Sequence, residues 1–276
     1  MKTIYKSIVM VILSLITSTA SYASILANGI YYDFHDNTLE ATVVRNNKLS
    51  NTEGSYTATS VTIPEKVTYN NKTYKVTAIG EEAFLRSENL ISISIPKTIK
   101  KIGSNAFWGC VSLKSITLPI GITRIERSAF YTCTSLKRII IPEGVTIISE
   151  DAFANCTSLE SVVIPSSVSF INPGGFMGCT ALKSVTVKSP TPIDLYIRTF
   201  DVFGKLYVPE GSMEAYSKAP IWKNFTIVEG TGTTGIANLP TPITQRQTPV
   251  FNLSGQSIAA PRKGINIING KIVAVK

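Results

Sequence analysis

Across 276 residues, 27 lysines and arginines stand against 18 acidic residues, a formal charge of +9. The excess is scattered rather than gathered in one basic run, so it reads as solubility and argues against a nucleic-acid partner. A single histidine, His35, and the absence of any Cys-x-x-Cys pair exclude the common zinc sites and provide poorly for a histidine-dependent nucleophile.

The chain begins MKTIYKSIVMVILSLITSTASYAS. Lys2 and Lys6 precede an apolar stretch from Ile8 to Ile16, and small residues follow, with Ala20 and Ala23 at suitable cleavage positions. This is the layout of a secretory signal peptide over residues 1–23, whose apolar core is shorter than the ~20 residues that span a bilayer. Its removal takes two lysines and no acid, leaving 25 basic against 18 acidic residues, formally +7. No cysteine precedes Cys110, so no lipid-acceptor thiol stands at the cleavage site. The expectation is a secreted or cell-surface protein with no transmembrane segment in the mature chain.

Residues 24–78 read as an N-terminal β cap followed by a widened partial repeat. NGIYYDFHDNTLEATVVRN, residues 28–46, alternates as two strands about a polar turn. Pro64 to Pro96 is a step of 32, nine more than the repeat that follows, and YNNKTY reads as a hairpin filling the excess.

Residues 79–193 hold five units at a constant step of 23. Ile79, Ile102, Ile125, Ile148 and Ile171 open them, and Phe84, Phe107, Phe130, Phe153 and Phe176 keep the step. So do Leu90, Leu113, Leu136, Leu159 and Leu182, and Pro96, Pro119, Pro142 and Pro165 close the first four units. Each unit ends on L-x-x-[IV]-x-[LIV], the alternation of a short strand with one buried face. The preceding segment, such as SNAFWGC, suits a short helical turn. Ile99, Ile122, Val145 and Val168 mark a second extended piece on the opposite side. One unit buries too little apolar surface to offset the entropy of ordering itself, so the units must stack as coils.

Residues 194–229 read as a C-terminal cap: in KLYVPEGSMEAYSKAPIWKNFTIVEG a strand, a short helix from about Ser212 to Lys218 and a final strand follow one another. Residues 230–249, with GTGTTG and LPTPITQRQTP, form a linker. Residues 250–276 make a small separate β unit, with Asn269-Gly270 as a type I′ hairpin signal.

AIGEEAF…NLISISIP, KIGSNAFWGCVSLKSITLP and RIERSAFYTCTSLKRIIIP resemble the BspA-type leucine-rich repeats of bacterial surface proteins, over residues 79 to about 189. The resemblance implies a leucine-rich-repeat solenoid, β-rich with short helical turns. It also implies non-enzymatic, often adhesive surface roles toward host extracellular-matrix proteins such as fibronectin or fibrinogen, or toward a neighbouring cell. The tail resembles those of exported Bacteroidetes proteins, some of which are secretion sorting signals; it is shorter than a full sorting domain.

Chemical readings fare less well. Cys110, Cys133, Cys156 and Cys179 share one column, with Ser87 in the first unit. A repeated small buried side chain explains them as free thiols, although stacked coils also meet the Cα spacing of a disulfide. Ligands in one line cannot close a tetrahedron around zinc. Asp33, His35 and Asp36 are turn residues before they are a metal cluster. No acid pair recurs on the strand face, and GTGTTG lacks the context of a phosphate loop. No cofactor, metal or catalytic residue is expected.

Binding surfaces remain. Outward columns on the strand are Ser92, Ser115, Arg138, Ser161 and Ser184, then Ser94, Thr117, Ile140, Val163 and Thr186. Ile91, Lys114, Lys137, Glu160 and Lys183 precede them. The face is a hydroxyl ladder with a basic edge (Lys114, Lys137, Arg138, Lys183) and an apolar spot at Ile140 and Val163. Trp108 and Tyr131, in adjacent coils, form a second candidate, stacked side by side as a protein hot spot or a sugar platform. The leading expectation is a non-catalytic adhesin-like binder. A glycan-binding module and a hydrolase of unrecognised type are the alternatives.

Overall fold

The computed structural model describes residues 24–46 and 56–230, together with the strand backbones 250–251, 257–258, 264–268 and 271–275. Residues 1–23, read as a signal peptide, and 230–249, read as a linker, lie outside these residues apart from Gly230. The chain divides into two compact units, 1–232 and 233–276.

In the first unit, β1 (Ile25–Ala27), β2 (Ile30–His35) and β3 (Glu40–Val44) run antiparallel. After β4 (Ser60–Thr62), β5 (Lys66–Tyr69) and β6 (Lys72–Ile79) form the YNNKTY hairpin, turning through Asn70 and Asn71 at φ 48° and 60°. Parallel pairing of β3 with β6 joins cap to repeat.

From here the coils stack. On the front, β4 pairs in parallel with β7 (Ser92–Ser94), and a bridge from Ser92 to Ser115 continues the ladder. On the back, β8 (Lys101–Ile102) pairs with β6, and β9 (Arg124–Ile125) begins the next ladder. Front strands β10 (Arg138–Ile140), β12 (Ser161–Ile164) and β14 (Ser184–Val187) alternate in the chain with back strands β11 (Ile147–Ile148), β13 (Phe170–Ile171) and β15 (Asp194–Leu195). The pairing Ile139↔Val162↔Val185 lays side chains one repeat apart over one another. The solenoid and its spacing are therefore as the repeat implies. The back strands include the opening isoleucine column rather than Ile99, Ile122, Val145 and Val168. Those four are buried in turns, with each N–H on the carbonyl three residues earlier, as in Val145 to Pro142 at 3.3 Å.

The segment around each Phe is not helical. Its N–H groups alternate between the next coil and their own. Asn105, Phe107 and Gly109 donate to Arg127, Ala129 and Tyr131 at 3.0, 2.8 and 2.9 Å, while Ala106, Trp108 and Cys110 bond three residues back. Such alternation requires left-handed backbone at two positions per coil. The first column is Glu82, Asn105, Ser128, Asp151 and Gly174, and the second is Arg86, Gly109, Thr132, Asn155 and Gly178, all at φ between 50° and 74°. The result is a third ladder of turns along the coils. Its hydrogen bonds satisfy backbone groups that a one-turn helix would leave unpaired.

Inside runs a column of phenylalanines. Phe84, Phe107, Phe130, Phe153, Phe176 and Phe200 stack with centroids 5.1–5.3 Å apart and planes within 6°. Phe200 follows Phe176 at a step of 24, so the stack outlasts the regular spacing. Tyr56 covers one end, 4.7 Å from Phe84, and Trp222 and Phe225 cover the other at 5.7 and 5.3 Å from Phe200. Beyond it, β16 (Lys205–Val208), the short helix α1 (Met213–Lys218) and β17 (Thr226–Glu229) close the sheet. Buried Trp222 and Tyr216 tie this end down, donating to the carbonyls of Ile193 at 2.7 Å and Ser189 at 3.0 Å. Lys188 stands where earlier units have proline, and its N–H joins the ladder on the Ile164 carbonyl at 3.0 Å.

In the second unit, β18 (Val250–Phe251) pairs antiparallel with β19 (Ser257–Ile258) and with β20 (Gly264–Ile268). β20 also pairs with β21 (Lys271–Val275), from Gly264↔Val275 to Ile268↔Lys271; Asn269-Gly270, read as the hairpin turn, lies outside the described residues.

Candidate functional site

The front strands turn alternate residues outward, and the parallel register converts sequence columns into rows on that face. One row runs Arg138, Ser161, Ser184, Lys205, Thr226; the next runs Ile140, Val163, Thr186, Tyr207, Val228. Ser60, Ser92 and Ser115 continue the first row toward the N-terminal end, with Ser92 donating to Ser60 at 3.2 Å. Lys205 and Tyr207 are not legible as members from spacing, because the step between β14 and β16 is 21 rather than 23. The outward alternation of KLYV is the available signal.

The basic edge is less basic than its residues suggest. Lys183 pairs with Glu160 of the preceding coil at 3.0 Å. That hydrogen bond, the Lys183 charge and the nearby Lys137 and Arg138 hold the Glu160 carboxyl below its usual range. Arg138 Nε donates to Ser161 at 3.1 Å. Lys114 and Lys137 are exposed with no ion pair among the described residues. The apolar spot is smaller than expected: Ile140 is half-buried, and Val163 is only 7% exposed, hemmed between Ile140 and Thr186 on adjoining strands.

Trp108 and Tyr131 do meet, but their planes cross at 82° with centroids 5.6 Å apart. Trp108 is 41% exposed, while Tyr131 is half-buried and its hydroxyl accepts from Asn155 Nδ2 at 3.0 Å. An edge-on pair offers no continuous flat platform, so the side-by-side stacking expected of them is not formed. The column fixes which residues adjoin and leaves their χ angles open.

The four cysteines are buried free thiols. Each Sγ donates to the carbonyl of the phenylalanine 26 residues earlier, at 3.2–3.3 Å. Burial pushes the Cys110 thiol up to about 12, and those of Cys133 and Cys179 are raised as well. Thiolates are what react and bind metals, so these positions serve packing. Ser87 replaces cysteine where the column meets the cap, and there its Oγ accepts the Tyr56 N–H at 3.2 Å.

His35 sits in the cap, on β2, where its Nε2 shares a hydrogen bond with Thr42 Oγ1 at 3.0 Å. Asp36 turns away from it, accepting from Tyr74 Oη and from Lys72 Nζ, the latter at 3.1 Å, and these bonds hold its carboxyl below the usual range. Among the described residues no three His, Cys, Asp or Glu side chains gather as a metal set. Nor is any helix among them long and apolar enough to cross a membrane.

Comparison with known proteins fits this geometry. Residues 53–183 match the family model of the BspA type Leucine rich repeat region in six copies. A solved leucine rich repeat protein from T. pallidum is 25% identical, with a TM-score of 0.53 over 72% of this chain and 92% of that one. A leucine rich cell surface protein from Faecalibacterium prausnitzii A2-165 is 20% identical over 75% of this chain and 72% of its own, with a TM-score of 0.41. A leucine-rich repeat protein from Bacteroides ovatus ATCC 8483, also 20% identical, covers 74% and 76% with a TM-score of 0.40. Among curated proteins, none matches the chain.

Proposed function

Since residues 53–183 are BspA-type leucine-rich repeats, we propose that the chain is an exported, surface-associated protein that binds a macromolecular partner without catalysis. Its partner is a protein, held on the front strand face around Arg138 and Ile140. The observation that carries this reading is the continuous row register from β10 to β16, which brings Arg138 and Ile140 of one coil and Lys205 and Tyr207 of another, three strands along, onto one face. Arginine and tyrosine beside a small apolar centre are the residues that most often anchor protein interfaces. Export rests on the signal-peptide layout of residues 1–23, and the surface role on the family. The non-catalytic reading draws support from thiols buried in a packing column and a lone histidine engaged with Thr42.

The test is surface plasmon resonance of the purified protein over immobilised fibronectin, fibrinogen and whole-cell surface extracts. Replacing Arg138→Glu together with Ile140→Asp should weaken a specific interaction about thirtyfold, the ~2 kcal/mol of an interface hot spot, while leaving thermal unfolding nearly unchanged. A panel with no binding, or binding indifferent to that double substitution, would remove the front face from consideration.

A further inference from the structure

The N-terminal cap contains a cavity of about 200 Å³ that coil stacking does not require. One wall is aromatic. The rings of Phe34 and Tyr69 stack 4.8 Å apart at 14°, and Tyr74 sets its edge on Phe34 at 4.7 Å. Phe34 and Tyr69 are only partly buried, so their stack presents apolar surface to the cavity.

The polar groups of the same cavity are incompletely satisfied. Asp36 uses one carboxylate oxygen, Oδ1, for both Tyr74 and Lys72, which leaves Oδ2 to accept. The Asp33 side chain alternates to the other face of β2, beside His35 and Thr42, so its carboxylate is not one of these groups. Tyr32 also lines the cavity; it is wholly buried, and its hydroxyl has no partner among the described residues. Lys72 retains two N–H groups beyond its bond to Asp36. The cavity thus combines spare acceptors, spare donors and a flat apolar wall.

That combination selects among ligands. An organic cation suits the rings and Asp36 but cannot accept a hydrogen bond, and Lys72 opposes its charge. An anion meets the Asp36 carboxylate. A polyol both donates and accepts, carries no charge, and offers C–H faces to the rings. The volume lies below the range of drug-sized pockets, which limits the occupant to about one ring. We propose that this cavity is a carbohydrate subsite for a single hexose-type unit. The sugar lies against Phe34 and Tyr69, donates a hydroxyl to Asp36 Oδ2, and accepts from Tyr32 and Lys72. The site is independent of the front face, and either assignment can fail without the other.

Saturation-transfer NMR and calorimetric titration of the purified protein would test it. The probes are the methyl glycosides of glucose, galactose, mannose and N-acetylglucosamine, with tetramethylammonium and arginine as cationic competitors. At least one glycoside should bind saturably. Tyr32→Phe should weaken that glycoside about fivefold, the loss of one neutral hydrogen bond, and Tyr69→Ala about tenfold. Trp108→Ala should leave binding as it was. Tyr32→Phe breaks no hydrogen bond among the described residues, so its melting temperature should equal or exceed that of the parent. The assignment is overturned if no glycoside binds, if binding survives both cavity substitutions, if the cations bind in preference, or if Tyr32→Phe loses binding only by losing the fold.

Discussion

Thr132 shows how far a single position is governed by its column. Its φ of 59° is a conformation that β-branched residues seldom adopt, yet the turn ladder imposes it, as it does at Gly109 and Gly178 in the same column. Glycine meets the requirement without a Cβ clash. Thr132→Gly should therefore stabilise the protein by about 1 kcal/mol, raising the melting temperature by roughly 2–4 °C in a chain of this size, as differential scanning calorimetry would show. An unchanged or lower value would mean that the ladder tolerates threonine at no cost. This feature is within reach of the sequence, since Gly109, Asn155 and Gly178 recur in one column and Asn105, Asp151 and Gly174 four residues before it. The lack of alternation in SNAFWGC does not reveal it, because a helical turn and a chain of tight turns fit that lack equally well.

At the level of the element, the phenylalanine stack and the thiol column beside it are what the coils share. Phe130 is sandwiched between Phe107 and Phe153 at 5.2 and 5.1 Å, and no part of it reaches solvent. Phe130→Ala should cost about 3–5 kcal/mol in urea unfolding, since a ring-sized void opens where both neighbours are pinned by ladder hydrogen bonds. A loss below ~1 kcal/mol would show that the coils close over the gap. The inward columns are fully legible, because a buried position repeated at a constant step has only one place to go. The back strands lie a few positions away from the aliphatics expected to form them, since a buried aliphatic in a turn and one in a short strand look alike. Phe200 is hidden by its step of 24, and the crossing of Trp108 over Tyr131 by rotamers that no column specifies.

Across the whole molecule the register between coils matters more than the contents of any one coil. Excising residues 126–148 removes one full step of 23 and joins Ile125 to Ser149, so every remaining column still meets its neighbour. The shortened chain should fold cooperatively, with lower stability and a native-like circular dichroism spectrum. Excising only residues 126–136, half a repeat, puts inward and outward positions out of phase and should abolish the transition. If both deletions behaved alike, nearest-neighbour stacking would not be the source of stability. The same register explains why the candidate sites differ in legibility. The front rows follow from spacing as far as Ser184 and Thr186, whereas the cap cavity draws β2, β5 and β6 together by pairings that have no repeat behind them.

The hydrogen bonds that join one coil to the next run along the stack rather than across it. A pull applied between its two ends therefore loads the ladders one rung at a time, like a zip fastener, rather than all together. Each coil that gives way releases one full repeat of slack, about 80 Å when extended. A solenoid built this way lengthens coil by coil under such a pull.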